Sequence, residues 1–129
     1  DGPPATLLKL KTGGEHHAHS VRPGPDGAWY LMCGNDTGIR AADVTDPSSP
    51  VPEPEAGVLL RFDLDPETSA VSNVAVVADG MRNAYDFDFT AGGDPVTYDS
   101  DDEREVSLPW YRPTRVFRLL PGSHAGWFS

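Results

Sequence analysis

Apolar residues in this chain fall in short runs, at 7–10, 29–33, 58–64, 71–78, 85–89 and 116–120. Gly, Pro, Asp or Asn bounds each run, which is the pattern of short strands joined by turns. No window sustains a helical period. Within 85–89, Asp86 and Asp88 alternate with Tyr85, Phe87 and Phe89, so this strand has one wet face and one dry face. Residues 65–69 (DPETS) separate two runs and predict a hairpin turn, with Pro66 presetting one backbone angle. Residues 45–57 (TDPSSPVPEPEAG) hold four prolines and offer few N–H groups to a ladder. They predict an extended, exposed excursion between strands. The chain therefore reads as all-β.

The order apolar strand, Gly/Asp turn, apolar strand, long loop, arginine-bearing strand occurs twice. The first copy uses 20–32 and 58–64, the second 85–98 and 114–120. A repeat of about 60 residues with four short strands resembles a propeller blade with long loops. The expected architecture is a fragment of a β-propeller, about two four-stranded blades plus the edge of a third. Residues 1–19 would end the preceding blade, with 7–10 as its last strand and a His-rich loop after it. Residues 20–80 would form the first blade and 81–129 the second. An independent two-sheet sandwich is the alternative. Two blades leave strand edges unpaired, so the segment alone is expected to self-associate or fold marginally.

Composition narrows the function. The 129 residues suit one domain, and 13 Gly and 13 Pro supply many turns. A net charge of −10 has the wrong sign for displacing counterions from nucleic acid or for an anionic membrane surface. Clustered Asp residues could still hold a cation. Cys33 stands alone in an apolar run, which excludes an internal disulfide or a CxxC site and reads as core. No run reaches the ~18 apolar residues of a membrane span. The chain opens on Asp1 without a signal peptide, so a leader would lie outside it. Asn35-Asp36-Thr37 matches a glycosylation sequon of little weight.

Four groups could carry chemistry. In Gly13-Gly14-Glu15-His16-His17-Ala18-His19, His17 and His19 point the same way on an extended chain and could share a metal. Alternatively His16 is a general base oriented by Glu15, or the histidines are surface or packing residues. Gly80-Met81-Arg82-Asn83 presents a guanidinium fork and an amide just before a strand, to bind a ligand or to lie solvated in a turn. Tyr98-Asp99-Ser100-Asp101-Asp102-Glu103 suits a hard cation or an acidic turn, without the spacing of an EF-hand. Pro109-Trp110-Tyr111-Arg112-Pro113 could stack on a ring or cover a core edge.

Taken in order, several segments carry a resemblance: Gly14-Glu15-His16, Gly24-Pro25-Asp26-Gly27, Trp29-Tyr30-Leu31, Gly80-Met81-Arg82-Asn83, Tyr98-Asp99, 109–116 and Gly126-Trp127. The chain resembles the soluble quinoprotein glucose/sorbosone dehydrogenase superfamily, most closely its planctomycete-type membrane-bound dehydrogenase branch. The resemblance implies a six-bladed propeller holding pyrroloquinoline quinone (PQQ) and Ca²⁺, acting on a sugar or alcohol in the periplasm or outside the cell. It implies His16 as the base that removes the hydroxyl proton while hydride moves to the quinone, with Glu15 holding the imidazole. Arg82 and Asn83 would contact quinone oxygens, as would Asp36 where the glucose enzymes have Gln. The Ca²⁺ loop would fall on Asp99, Ser100, Asp101 and Asp102, although the Gly-Pro pair that holds the ion in the glucose enzymes is not visible here. The remaining blades would supply the clamp for the quinone carboxylates. A propeller module that binds carbohydrate or protein without catalysis is the second expectation.

Overall fold

The computed structural model describes residues 4–11, 13–100 and 114–127. These residues form eight strands and two single-turn 3-10 segments, arranged as two sheets. The first sheet is an antiparallel meander of β1 (Ala18–Pro23), β2 (Trp29–Cys33), β3 (Gly57–Leu64) and β4 (Val71–Met81). The second is an antiparallel meander of β5 (Phe87–Phe89), β6 (Pro95–Asp99) and β7 (Arg115–Arg118). A short β8 (Ser123–His124) returns to lie parallel to β4 at the outer edge of the first sheet.

The inner strands β2 and β3 are largely buried on both faces, so they read as nearly continuous apolar runs and not as alternation. Tyr30, Met32 and Leu59 face the second sheet, where Ala84, Phe87 and Leu119 meet them, with Phe89 and Phe117 half-buried against the cluster. Cys33, Val58, Leu60, Phe62, Val74 and Val76 form a separate cluster on the other face. Leu8 and Leu10 pack against that second cluster, yet 7–10 lies in neither sheet. The strand expected there is absent because an apolar run supplies packing surface but no ladder partner. The Asp65 turn is as expected, with Asp65 Oδ1 accepting the N–H groups of Glu67 and Thr68.

The proline-rich loop is exposed at about half of its residues, as expected, but it does not stand away from the sheet. It runs along the outer edge of β4, where Thr45 and Asp46 donate to the Val74 carbonyl and Val51 donates to that of Val76. In return, Thr45 Oγ1 and Ser49 Oγ accept the N–H groups of Val74 and Val76, at 3.0 and 2.9 Å. Side-chain hydroxyls thus replace the missing ladder acceptors, and the prolines need no acceptor of their own. The buried Asp79 carboxylate fastens the end of the loop, accepting from Glu55, Ala56 and Gly80 at 2.8, 3.1 and 2.6 Å. Gly122, Ala125 and Trp127 donate to Val77, Asp79 and Gly80 and extend the cover along this edge.

The sequence repeat has a counterpart in space. Gly24 N–H donates to Ala28 O and Gly27 N–H to Gly24 O, while Thr90 N–H donates to Asp94 O and Gly93 N–H to Thr90 O. Gly27 and Gly93 take matching left-handed φ values of 83° and 89°, which favour glycine. The cross-strand row Arg22–Tyr30–Arg61 corresponds to Asp88–Val96–Arg118. In both sheets the third-strand arginine pairs with a turn aspartate, Arg61 with Asp26 and Arg118 with Asp94.

Candidate functional site

In these meanders one end of the molecule collects the starts of β1 and β5 and the ends of β2, β4 and β6. The polar residues singled out in the sequence gather there. His16 precedes β1, and its Nδ1 lies 2.6 Å from Asn35 Oδ1, just after β2. An amide oxygen only accepts, so Nδ1 is the donor, and in the neutral ring the lone pair is on Nε2. Glu15 does not hold the ring. Its side chain is exposed, and its backbone N–H, like that of His16, donates to Asp36 Oδ2, at 2.7 and 3.0 Å. Those two N–H groups, that of His16 foremost, hold the Asp36 carboxyl below the usual range. Asp36 was expected against a cofactor, but its carboxylate fastens the His16 loop. Close approach explains the flanking glycines: a Cβ on Gly14 would sit 2.0 Å from Asp36 Oδ2, and one on Gly34 2.8 Å from the His16 carbonyl.

The second half comes from the β4–β5 connection. Asn35 N–H donates to the Arg82 carbonyl at 2.9 Å. The N–H groups of Arg82 and Asn83 donate to the two oxygens of Asp99, at 2.5 and 3.0 Å. Asn83 Oδ1 lies 2.7 Å from His19 Nε2, and the His19 ring stacks on Tyr85 with centroids 4.4 Å apart. The Arg82 guanidinium lies 5.5 Å from the centroid of Trp127, with Nη1 3.4 Å from Ser100 Oγ. One hydrogen-bonded path therefore runs from His16 through Asn35 and Arg82 to Asp99. Arg22, on β1, is paired with Asp86 at 2.9 Å and braces the two sheets together.

The metal expectations fare differently. Asp99 is 5% exposed, and burial pushes its pKa above the ordinary value against the opposing pull of three backbone N–H groups, from Asn83, Arg82 and Ser100. Its two oxygens accept the N–H groups of Arg82 and Asn83. Asp101 and Asp102 lie outside the described residues, as does the aromatic loop 109–113. Among the described residues no group of three His, Cys, Asp or Glu could hold a metal ion. His19 Nε2 is taken by Asn83, and among the described residues His17 Nδ1 is buried without a hydrogen-bond partner. Arg82 and Trp127 place a cation and an aromatic ring at this same end.

Sequence reasoning missed Asn35, weighed only as part of a sequon, and the roles of His19, Tyr85 and Trp127. The available signal was Gly34-Asn35-Asp36 directly after an apolar strand, a place from which short polar side chains reach neighbouring backbone. Cys33 is core as expected, with burial pushing its thiol up to about 12. Compared with known proteins, this chain matches no protein-family model, no curated protein and no solved structure.

Proposed function

We propose that this chain is part of a propeller-type domain whose strand-end cluster binds a sugar or other alcohol, with His16 as the base of a quinone-dependent dehydrogenase. The single observation that supports this reading is the continuous hydrogen-bonded path His16–Asn35–Arg82–Asp99. Groups separated by more than 60 residues are drawn to one end of the fold, as a shared task requires. Asn35 fixes the Nδ1–H tautomer of His16, so Nε2 is the atom that would take a substrate hydroxyl proton. Arg82 supplies positive charge for the alkoxide that develops. Arg82 and Trp127 are the described residues that would hold a quinone, which when bound supplies the hydride acceptor. The described residues do not by themselves form a Ca²⁺ cage. A periplasmic or extracellular setting and the remaining propeller blades as partners belong to the same proposal.

The test is reconstitution of the full-length parent with PQQ and Ca²⁺, followed by dye reduction with sugars. His16→Ala should lower turnover by about 10²–10⁴-fold while quinone still binds. A parent that binds no quinone overturns the dehydrogenase reading. The second reading, a module that binds carbohydrate without catalysis, draws on Tyr85, which is 62% exposed beside His19 and Asn83. Calorimetric sugar binding without quinone, lost in Tyr85→Ala, would favour it.

A further inference from the structure

Among the described residues, nothing covers the outer apolar face of the second sheet. Val116 is 82% exposed and Tyr98 52%, and with Val96 they line a hollow of about 290 Å³ that Arg22, Asp86 and Asp88 border. By register, Val96, Tyr98 and Val116 stand where the first sheet has Tyr30, Met32 and Leu59. Those three are buried, and the second sheet covers them with Phe87, Phe89 and Phe117.

We infer that the Val96–Tyr98–Val116 face is covered by a further β-sheet of the same repeat on the same polypeptide. The leading strand of that sheet would bring large apolar side chains to the places of Phe87 and Phe89, and a basic residue to the place of Asp86. Three observations carry this. The hairpin hydrogen bonds, the glycine φ values and the arginine–aspartate pairs repeat from one sheet to the next, so the docking geometry has a template within the molecule. Charge sets the partner's sign: Arg22 on the first sheet meets Asp86 of the second, whereas the residue equivalent to Arg22 is Asp88. Size sets the source. Three strands ~4.8 Å apart, with about four residues each at ~3.3 Å, offer roughly 200 Å². Free association takes about 800 Å² per partner. A face this small holds its partner only when the chain tethers the two, which raises the effective concentration to the millimolar range or beyond. The inference rests on the repeat part of the proposed function and is independent of the quinone chemistry.

The test is Val116→Cys on a Cys33→Ala background in the full-length parent, with labelling read at position 116 by peptide mapping, because Cys33 is buried in the folded chain but would label in urea. Maleimide should react at least tenfold more slowly in the native protein than in urea, while Glu53→Cys, on the exposed proline-rich loop, differs by less than threefold. In the 129-residue chain, native Val116→Cys should react at the unprotected rate. Asp88→Lys, which places like charge against the inferred basic residue, should speed labelling at position 116 in the parent. Equal rates in native parent and urea overturn the inference, as does a parent with no further repeat. Protection of the 129-residue chain that rises with its concentration would assign the face to a second copy and also overturn it. Protection together with failure to bind quinone would sink the dehydrogenase reading alone.

Discussion

Asp99 is where burial and hydrogen bonding oppose each other most directly. Its carboxylate accepts the N–H groups of Arg82 and Asn83 while being 5% exposed. Asp99→Asn keeps one accepting oxygen but turns an amide NH₂ toward one of these donors. The lost charge-assisted bond costs about 1.5–3 kcal/mol. The neutral amide no longer carries a charge into the interior, so a net loss of about 1–2 kcal/mol is expected at pH 7. The pH dependence has a definite sign. Burial sets the folded pKa above the ordinary 3.8, so the folded chain binds this proton more tightly than the unfolded chain. Stability from this group therefore rises as pH falls through the folded pKa, and the gain is complete below 3.8. Asn has no such proton, so wild type should pull further ahead of Asp99→Asn as pH drops from 7 toward 4. Each tenfold difference in proton affinity appears as about 1.4 kcal/mol. Urea melts followed by far-UV circular dichroism at several pH values measure the difference, and titrations common to both proteins cancel. If the gap narrows as pH falls, the three N–H groups outweigh burial and the reasoning is refuted. Amide exchange at residues 82 and 83 supplies a local check, since it should quicken in the variant.

Asp79→Ala should cost about 2–4 kcal/mol, because the N–H groups of Ala56 and Gly80 lose their acceptor in a buried setting. The same change should free the proline-rich loop for cutting after Glu55 by a glutamate-specific protease; a loop that stays uncut would show that Asp79 is not its fastener. Met32→Ala removes a side chain with no solvent exposure from between the two sheets, for about 2–5 kcal/mol in urea melts. A loss under 0.5 kcal/mol would mean that the sheets do not pack through this residue.

The 29–33 and 58–64 runs were legible because a strand buried on both faces needs apolar residues throughout, and turn-formers punctuate it. The edge strand β1 (AHSVRP) and β6 (PVTYD) carry too few apolar residues to stand out, and the repeat alone pointed to them. The 7–10 run misled for the converse reason: leucines record burial, and burial does not require a ladder. The proline-rich loop misled because its backbone N–H groups bond the Val74 and Val76 carbonyls and the Asp79 carboxylate, all more than 20 residues along the chain.

The site divides in the same way. The sequence alone determined an all-β chain with a duplicated strand–turn–strand unit, since alternation, turn residues and repeats are local properties written in order. It also marked His16, Arg82 and Asn83 as candidates. Tertiary structure decided what each carboxylate and amide does. Asn35 and not Glu15 orients His16, Asp36 fastens a loop, and Asp99 binds backbone N–H groups. Hydrogen bonds between residues 16 and 99 depend on which strand ends meet in space, and sequence separation carries no record of that distance.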